Sequence, residues 1–254
     1  MASVTLDQRD RFRIGRVLGD SFAVIGRNPA VCLGLGLIFY AVPNFAFSIW
    51  FWKSVTLMEH GTPEFSAQRV TLSAIGAVGY VVLLSFLQSA LMRVAIEDLN
   101  GKRPLIRDCI GTAFAFLLPA IGISLLVGLG VLFGFVLLVV PGLLLLGRWF
   151  VAVPALIQER VGVFGSLRRS RDLTAGSRWS VIAVWLVVFA ATLAINFSLK
   201  RLTFSFGAPI GFFLSAVLAA AEFVVGSILP AVSYVELRRV KEGASVDELA
   251  EIFS

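Results

Sequence analysis

Two charges stand where the chain is otherwise uncharged. Glu222 interrupts the run from Leu202 to Val235, and Arg148 interrupts the run from Cys109 to Gln158. A charge within hydrocarbon is costly and needs a counter-charge, a proton or a task. The helices that would carry the two run in the same direction, and each residue falls roughly 12 positions, about 18 Å, from the outer end. Arg148 and Glu222 are therefore expected to pair across the bundle interior. A structural pair, or a protonated Glu222 bonded to a backbone carbonyl, is favoured over coupling to a proton or a substrate.

A second constellation is the basic run Arg168, Arg169, Arg171 and Arg178. Clusters of this size at the inner surface can grip anionic lipid headgroups, although enforcing topology alone explains them more simply. The one histidine, His60, lies between Glu59 and Glu64. A loop group of this kind is read as solvated, and no metal is expected. Cys32 and Cys109 are too far apart in sequence and compartment to suggest a disulfide. No serine nucleophile motif, phosphate-cradling glycine loop or paired Cys and His ligand set occurs. No catalytic residue and no cofactor is therefore assigned, and the chain is read as a non-enzyme. The basic and aromatic motifs of nucleic-acid binding are missing too, so no such partner is expected.

What must position these residues is a membrane. The 254 residues are 58% hydrophobic and 15% charged, whereas soluble domains run near 45–50% apolar and about 25% charged. A spanning helix needs about 20 apolar residues. Uncharged runs of that length place six spans near 30–52, 70–92, 110–131, 135–158, 179–199 and 211–235. The run from Cys109 to Gly147 is long enough for a tight hairpin of two, its turn marked by Gly128, Gly130, Gly134 or the Pro141-Gly142 pair. Runs such as Val131 to Leu146 are apolar on every face, which excludes the alternating strands of a barrel. The expected fold class is all-α, a polytopic bundle of six transmembrane helices forming a single integral membrane domain.

Loop charges set the orientation. Seventeen Lys and Arg residues fall in the odd-numbered extramembrane segments and four in the even-numbered ones. The positive-inside rule then puts both termini in the cytoplasm of a multi-pass inner-membrane protein. No cleaved signal peptide is visible, because the first apolar run is long enough to remain as a span. Residues 1–28 form a cytoplasmic amphipathic segment, in which Phe12, Val17, Leu18, Phe22 and Ile25 recur at helical spacing. That pattern suits a helix in the headgroup plane, apolar side down. Val163, Leu167 and Leu173 repeat it before the fifth span, and 14–28 aligns with 164–178 at an offset of 150. The segment 101–112 before the third span is shorter and aligns poorly, so chance matches explain the alignment as well as ancestry does. The tail 236–254 could form one short helix from a cap at Ser245 to Glu248. Gly130 with Gly134, and Gly207 with Gly211, permit close helix approach.

The stretch Val140 to Ser180, "VPGLLLLGRWFVAVPALIQERVGVFGSLRRSRDLTAGSRWS", carries a resemblance. Its Pro-Gly opening, mid-helix Arg-Trp, Pro, terminal Glu and "SLRRSRDLTAG" helix resemble the membrane domain associated with glycerophosphoryl diester phosphodiesterases. They equally resemble the related YciC-type uncharacterised inner-membrane proteins. In some relatives such a region precedes a soluble phosphodiesterase barrel. This chain stops at Ser254 without one, and its single histidine leaves no position to which that chemistry can be carried over. The resemblance implies a polytopic inner-membrane protein that organises lipids or partners at the envelope. Membrane lipids, and another membrane protein, are the expected partners. A small transporter using the Arg148 and Glu222 level is the alternative, and a membrane enzyme comes third.

Overall fold

A computed structural model describes residues 12–59, 67–206 and 208–252. The helices are α1 (Ile14–Arg27), α2 (Pro29–Gly36), α3 (Val42–Glu59), α4 (Ala67–Leu99), α5 (Ile106–Ala115) and α6 (Leu117–Leu137). They continue with α7 (Val139–Trp149), α8 (Ala152–Glu159), α9 (Gly162–Thr174), α10 (Arg178–Phe206) and α11 (Ala208–Ile252). No strand occurs among the described residues. Among the described residues six stretches are long and apolar enough to cross a membrane: Pro29–Lys53, Ala74–Leu99, Leu117–Leu137, Val139–Glu159, Arg178–Ser198 and Pro209–Gly243. The described residues are thus all-helical, with the six such stretches that the uncharged runs require.

Prolines decide where these stretches break. Proline has no N–H and its ring crowds the carbonyl four residues back. Pro43 does this to Phe39, and the chain responds with a π-helical turn, Leu37–Ala41, in which the Val42 N–H reaches back five residues to the Leu37 carbonyl. Pro119 does it to Ala115, and the helix is interrupted at Phe116. The third apolar stretch therefore begins at Leu117 rather than near 110, and the preceding residues form the separate helix α5. Pro154 does it to Phe150, and the fourth stretch is split into α7 and α8 around Phe150 and Val151.

The hairpin turn between α6 and α7 is a single extended residue, Leu138 (φ −165°, ψ 151°), and none of the glycines expected to mark it. Those glycines pack the hairpin instead. A Cβ on Gly134 would lie 2.8 Å from the Gly142 Cα, and one on Gly130 would lie 2.5 Å from the Trp149 ring. Small residues here let two backbones touch. Gly207, the first of the other pair, lies outside the described residues.

Helix α11 is the axis of the bundle, packed by α1, α2, α3, α4, α8, α9, α10 and the π-helical turn. Fully buried side chains concentrate toward one end of it, with Leu87, Leu91, Met92 and Ile96 of α4 meeting Ile228, Leu229, Tyr234 and Leu237. Toward the other end bulky apolar residues such as Phe47, Phe51, Ile75, Val78, Phe197 and Phe213 are exposed, as lipid-facing residues must be. Short helices precede the first, third and fifth apolar stretches, namely α1, α5 and α9. They gather at the well-packed end as a collar. Ion pairs tie α1 and α9 there, Arg16 to Glu236, Arg27 to Asp98, and Arg169 to Glu159 and Glu242, while α5 packs against α4.

The α1 stripe expected to lie on lipid packs onto protein instead, with Phe12, Val17 and Val24 buried and Phe22 left exposed. Burying those three against α4 and α11 removes apolar surface that the headgroup layer would leave partly wet. Helix α11 runs unbroken to Ile252, so the tail adds no separate helix.

Candidate functional site

Glu222 sits on α11 at its contact with α10, on the partly open side of the bundle. Its carboxylate accepts from Asn196 Nδ2, at 3.1 Å to Oε1 and 3.0 Å to Oε2, while the same amide also donates to its own Thr192 carbonyl at 2.9 Å. Beside it the Tyr40 ring, in the π-helical turn, stacks obliquely on Phe223 with centroids 4.8 Å apart and lies 6.4 Å from Tyr80. A lone acid, an amide and two phenols thus share one level, far from the collar. Fourteen residues of α11 separate Glu222 from Glu236, about 21 Å of helix.

Arg148 is not part of this group. Among the described residues no ion pair joins it to Glu222. Arg148 lies in the last turn of α7 before the break, and Ser170 of α9 donates its hydroxyl to the Arg148 carbonyl at 2.8 Å. Arg148 is thereby held against the collar, with its Nε buried and without a hydrogen-bond partner. The expected pairing assumed an unbroken fourth helix, in which depth could be counted from the end.

The four arginines expected to act together are dispersed. Arg169 turns inward, its Nε 2.8 Å from Glu159 Oε1 and its Nη2 on Glu242. Tyr234 donates to the same Glu159 oxygen at 2.7 Å, and Arg238 meets Glu242 from the other side. Burial opposes the Arg169 charge, but the hydrogen bonds to Glu159 and Glu242 overcome it and hold its pKa above the usual value. This network joins α8, α9 and α11, and its job is attachment. Arg178 Nε is buried without a hydrogen-bond partner. Arg168 and Arg171 remain exposed, Arg171 lying 3.6 Å from Asp172. Only these last two face outward as a headgroup contact would require.

The collar also holds a group that sequence spacing did not single out, because its members come from segments some seventy residues apart. Asp98 at the end of α4 receives Arg27 Nε at 2.9 Å and Arg27 Nη2 on one oxygen, and Asn28 Nδ2 at 2.7 Å on the other. The hydrogen bond to Asp98 holds the Arg27 pKa above its usual value. These residues border an open cleft of about 560 Å³ that Lys102 and Arg103 also line. Nearby, burial pushes the Cys109 thiol up to about 11, with Glu97 adding to the effect. Cys32 is buried as well, and both cysteines are free.

Among the described residues no cluster of three or more metal-ligating side chains occurs. His60 and Glu64 lie outside them. Over 142 residues the chain is 27% identical to a UPF0259 membrane protein of Pectobacterium carotovorum subsp. carotovorum (strain PC1). That match covers 55% of this chain and 57% of the relative, so the chain spans a little over half the length of the protein it matches. No family model matches it, and no solved structure does. The relative's printed name calls it a membrane protein and names no catalytic activity.

Proposed function

We propose that this is a non-catalytic integral protein of the inner membrane, termini in the cytoplasm, acting as a lipid-interacting or partner-organising envelope module. The collar is the observation that carries this reading. Each of its three helices exposes a bulky apolar side chain, Phe22 (60%), Ile106 (51%) and Phe164 (80%), close to an exposed arginine, Arg27, Arg107 and Arg168 respectively. Apolar surface beside cations is what the boundary between headgroups and acyl chains accommodates. The likeness of Val140 to Ser180 to membrane regions that accompany phosphodiesterases favours the same setting, and it lends no catalytic residue.

The test is to reconstitute the full chain in nanodiscs of mixed phosphatidylglycerol and phosphatidylcholine and to weigh what stays bound by native mass spectrometry. Retained lipid should be enriched in the anionic species over the bulk mixture. Retention in the bulk ratio would overturn the reading.

A second reading, a small transporter, is favoured by the Asn196–Glu222 contact with Tyr40 alongside. Intramembrane acids held by polar neighbours are common on proton and substrate paths. Proton uptake by proteoliposomes under a pH gradient, abolished in Glu222→Gln, would favour it. Tight vesicles with the wild-type protein would exclude proton coupling.

A further inference from the structure

We propose that the cleft between Arg27, Asn28, Lys102 and Arg103 is a binding site for the phosphate group of an anionic phospholipid. The proposal rests on the lipid-interacting reading above and gives it an address.

The charge balance is the first argument. Three cations and one carboxylate, Asp98, line the cleft. The carboxylate is already used, since Arg27 occupies one of its oxygens and Asn28 the other. Arg27 spends Nε and Nη2 on that contact. A guanidinium carries five N–H donors in a fixed fork, so its Nη1 edge remains to be filled. Lys102 and Arg103 are exposed and join no ion pair among the described residues. The cleft therefore has a surplus of two positive charges, with their donors unspent.

The second argument is rigidity. Lys102 and Arg103 follow a helix-ending turn of Schellman type. The Gly101 N–H bonds the Asp98 carbonyl at 3.0 Å and the Lys102 N–H bonds the Glu97 carbonyl at 2.9 Å. Gly101 takes φ +73°, a conformation that other residues enter only under strain. The same Asp98 that orients Arg27 by its side chain thus fixes the turn by its backbone. Two walls of the cleft are braced by one residue, and little ordering is left for a ligand to impose.

The third argument is position. The cleft opens at the end of the Ala74–Leu99 stretch, where a membrane helix leaves hydrocarbon. Next along the chain are the exposed apolar residues Leu105 and Ile106. A soluble anion has no use for these, whereas a phospholipid can place its phosphate in the cleft and its acyl chains beside them. A phosphate between Arg27, Lys102 and Arg103 would gain charge-assisted hydrogen bonds, each stronger than a neutral one.

Full-length protein in nanodiscs tests this, with phosphatidylglycerol retention read by native mass spectrometry for wild type, K102Q/R103Q and R168Q/R171Q. Losing two charged donors should weaken retention about ten-fold or more. The K102R/R103K exchange should keep most of it, and R168Q/R171Q, which removes two other outward-facing cations of the collar, should weaken it less than K102Q/R103Q does. Wild-type retention in K102Q/R103Q with loss in R168Q/R171Q would overturn the cleft and leave the lipid reading standing. No anionic preference in the wild type would overturn both. Inorganic phosphate, titrated into detergent-solubilised protein at millimolar concentration, should not displace the lipid. Displacement by phosphate alone would mean a soluble phosphate ligand and would overturn the lipid assignment.

Discussion

The Glu222 carboxylate takes both its hydrogen bonds from a neutral amide, Asn196, and that determines which substitutions should matter. Glu222→Gln keeps an acceptor at the same place and should leave stability nearly unchanged. Asn196→Leu strips the acid of its donor and should cost about 1–3 kcal/mol, the usual penalty for an orphaned polar group. Unfolding of both singles and the double in detergent gives the coupling directly; additive effects would mean that the contact contributes nothing. Glu222 was legible in the sequence because one charge in a long apolar run cannot be missed. Asn196 was not, because a neutral amide leaves no mark on a charge count, although it is the only Asn between Trp179 and Leu199. Cys109 offers a test of a different kind. Alkylation needs the thiolate, and a buried thiol held up to about 11 supplies almost none at neutral pH. Maleimide should label Cys109 only after denaturation; labelling of the folded protein at pH 7 would show that α5 opens.

At the scale of elements, length was legible and breakage was not. Five long runs, one of them long enough for two spans, correspond to six apolar stretches because hydrocarbon thickness fixes how long a span must be. Where a run bends depends on which carbonyl a proline crowds and on which neighbour reaches the turn before the break, as Ser170 reaches the Arg148 carbonyl. That neighbour belongs to another segment, so the Arg148 position could not be read from its own helix. The Leu138 turn shows the same limit, since nothing in a leucine announces an extended residue. The flanking glycines were rightly noticed, but for packing rather than for turning. Gly134→Val puts a branched side chain where even a Cβ would lie 2.8 Å from Gly142. It should destabilise the protein by about 1–3 kcal/mol or more, the range for overpacking. Gly128→Ala, in open space on the same helix, is its control and should be silent in the same thermal unfolding assay.

At the scale of the whole molecule, the charge asymmetry acquires a physical location. The basic odd-numbered segments lie far apart in sequence, yet ion pairs from Arg16 to Glu236 and from Arg169 to Glu242 hold their helices at one end of the bundle. Lys53 closes the first apolar stretch at the opposite end. The positive-inside rule acts on loops close to span ends during insertion, so a protein with this distribution should face its collar to the cytoplasm. Single reporter cysteines can decide it. Arg171 is exposed on the collar and Lys53 is exposed at the other end, while the native Cys32 and Cys109 are buried and give a low background. In intact spheroplasts a membrane-impermeant maleimide should label Lys53→Cys and spare Arg171→Cys. Lysis should expose Arg171→Cys to the same reagent. The reverse pattern would invert the topology, and it would put the Arg27, Lys102 and Arg103 cleft at the outer leaflet. The anionic-lipid assignment would then fail for want of the inner leaflet's charge, because that surface potential is what concentrates cations at a membrane.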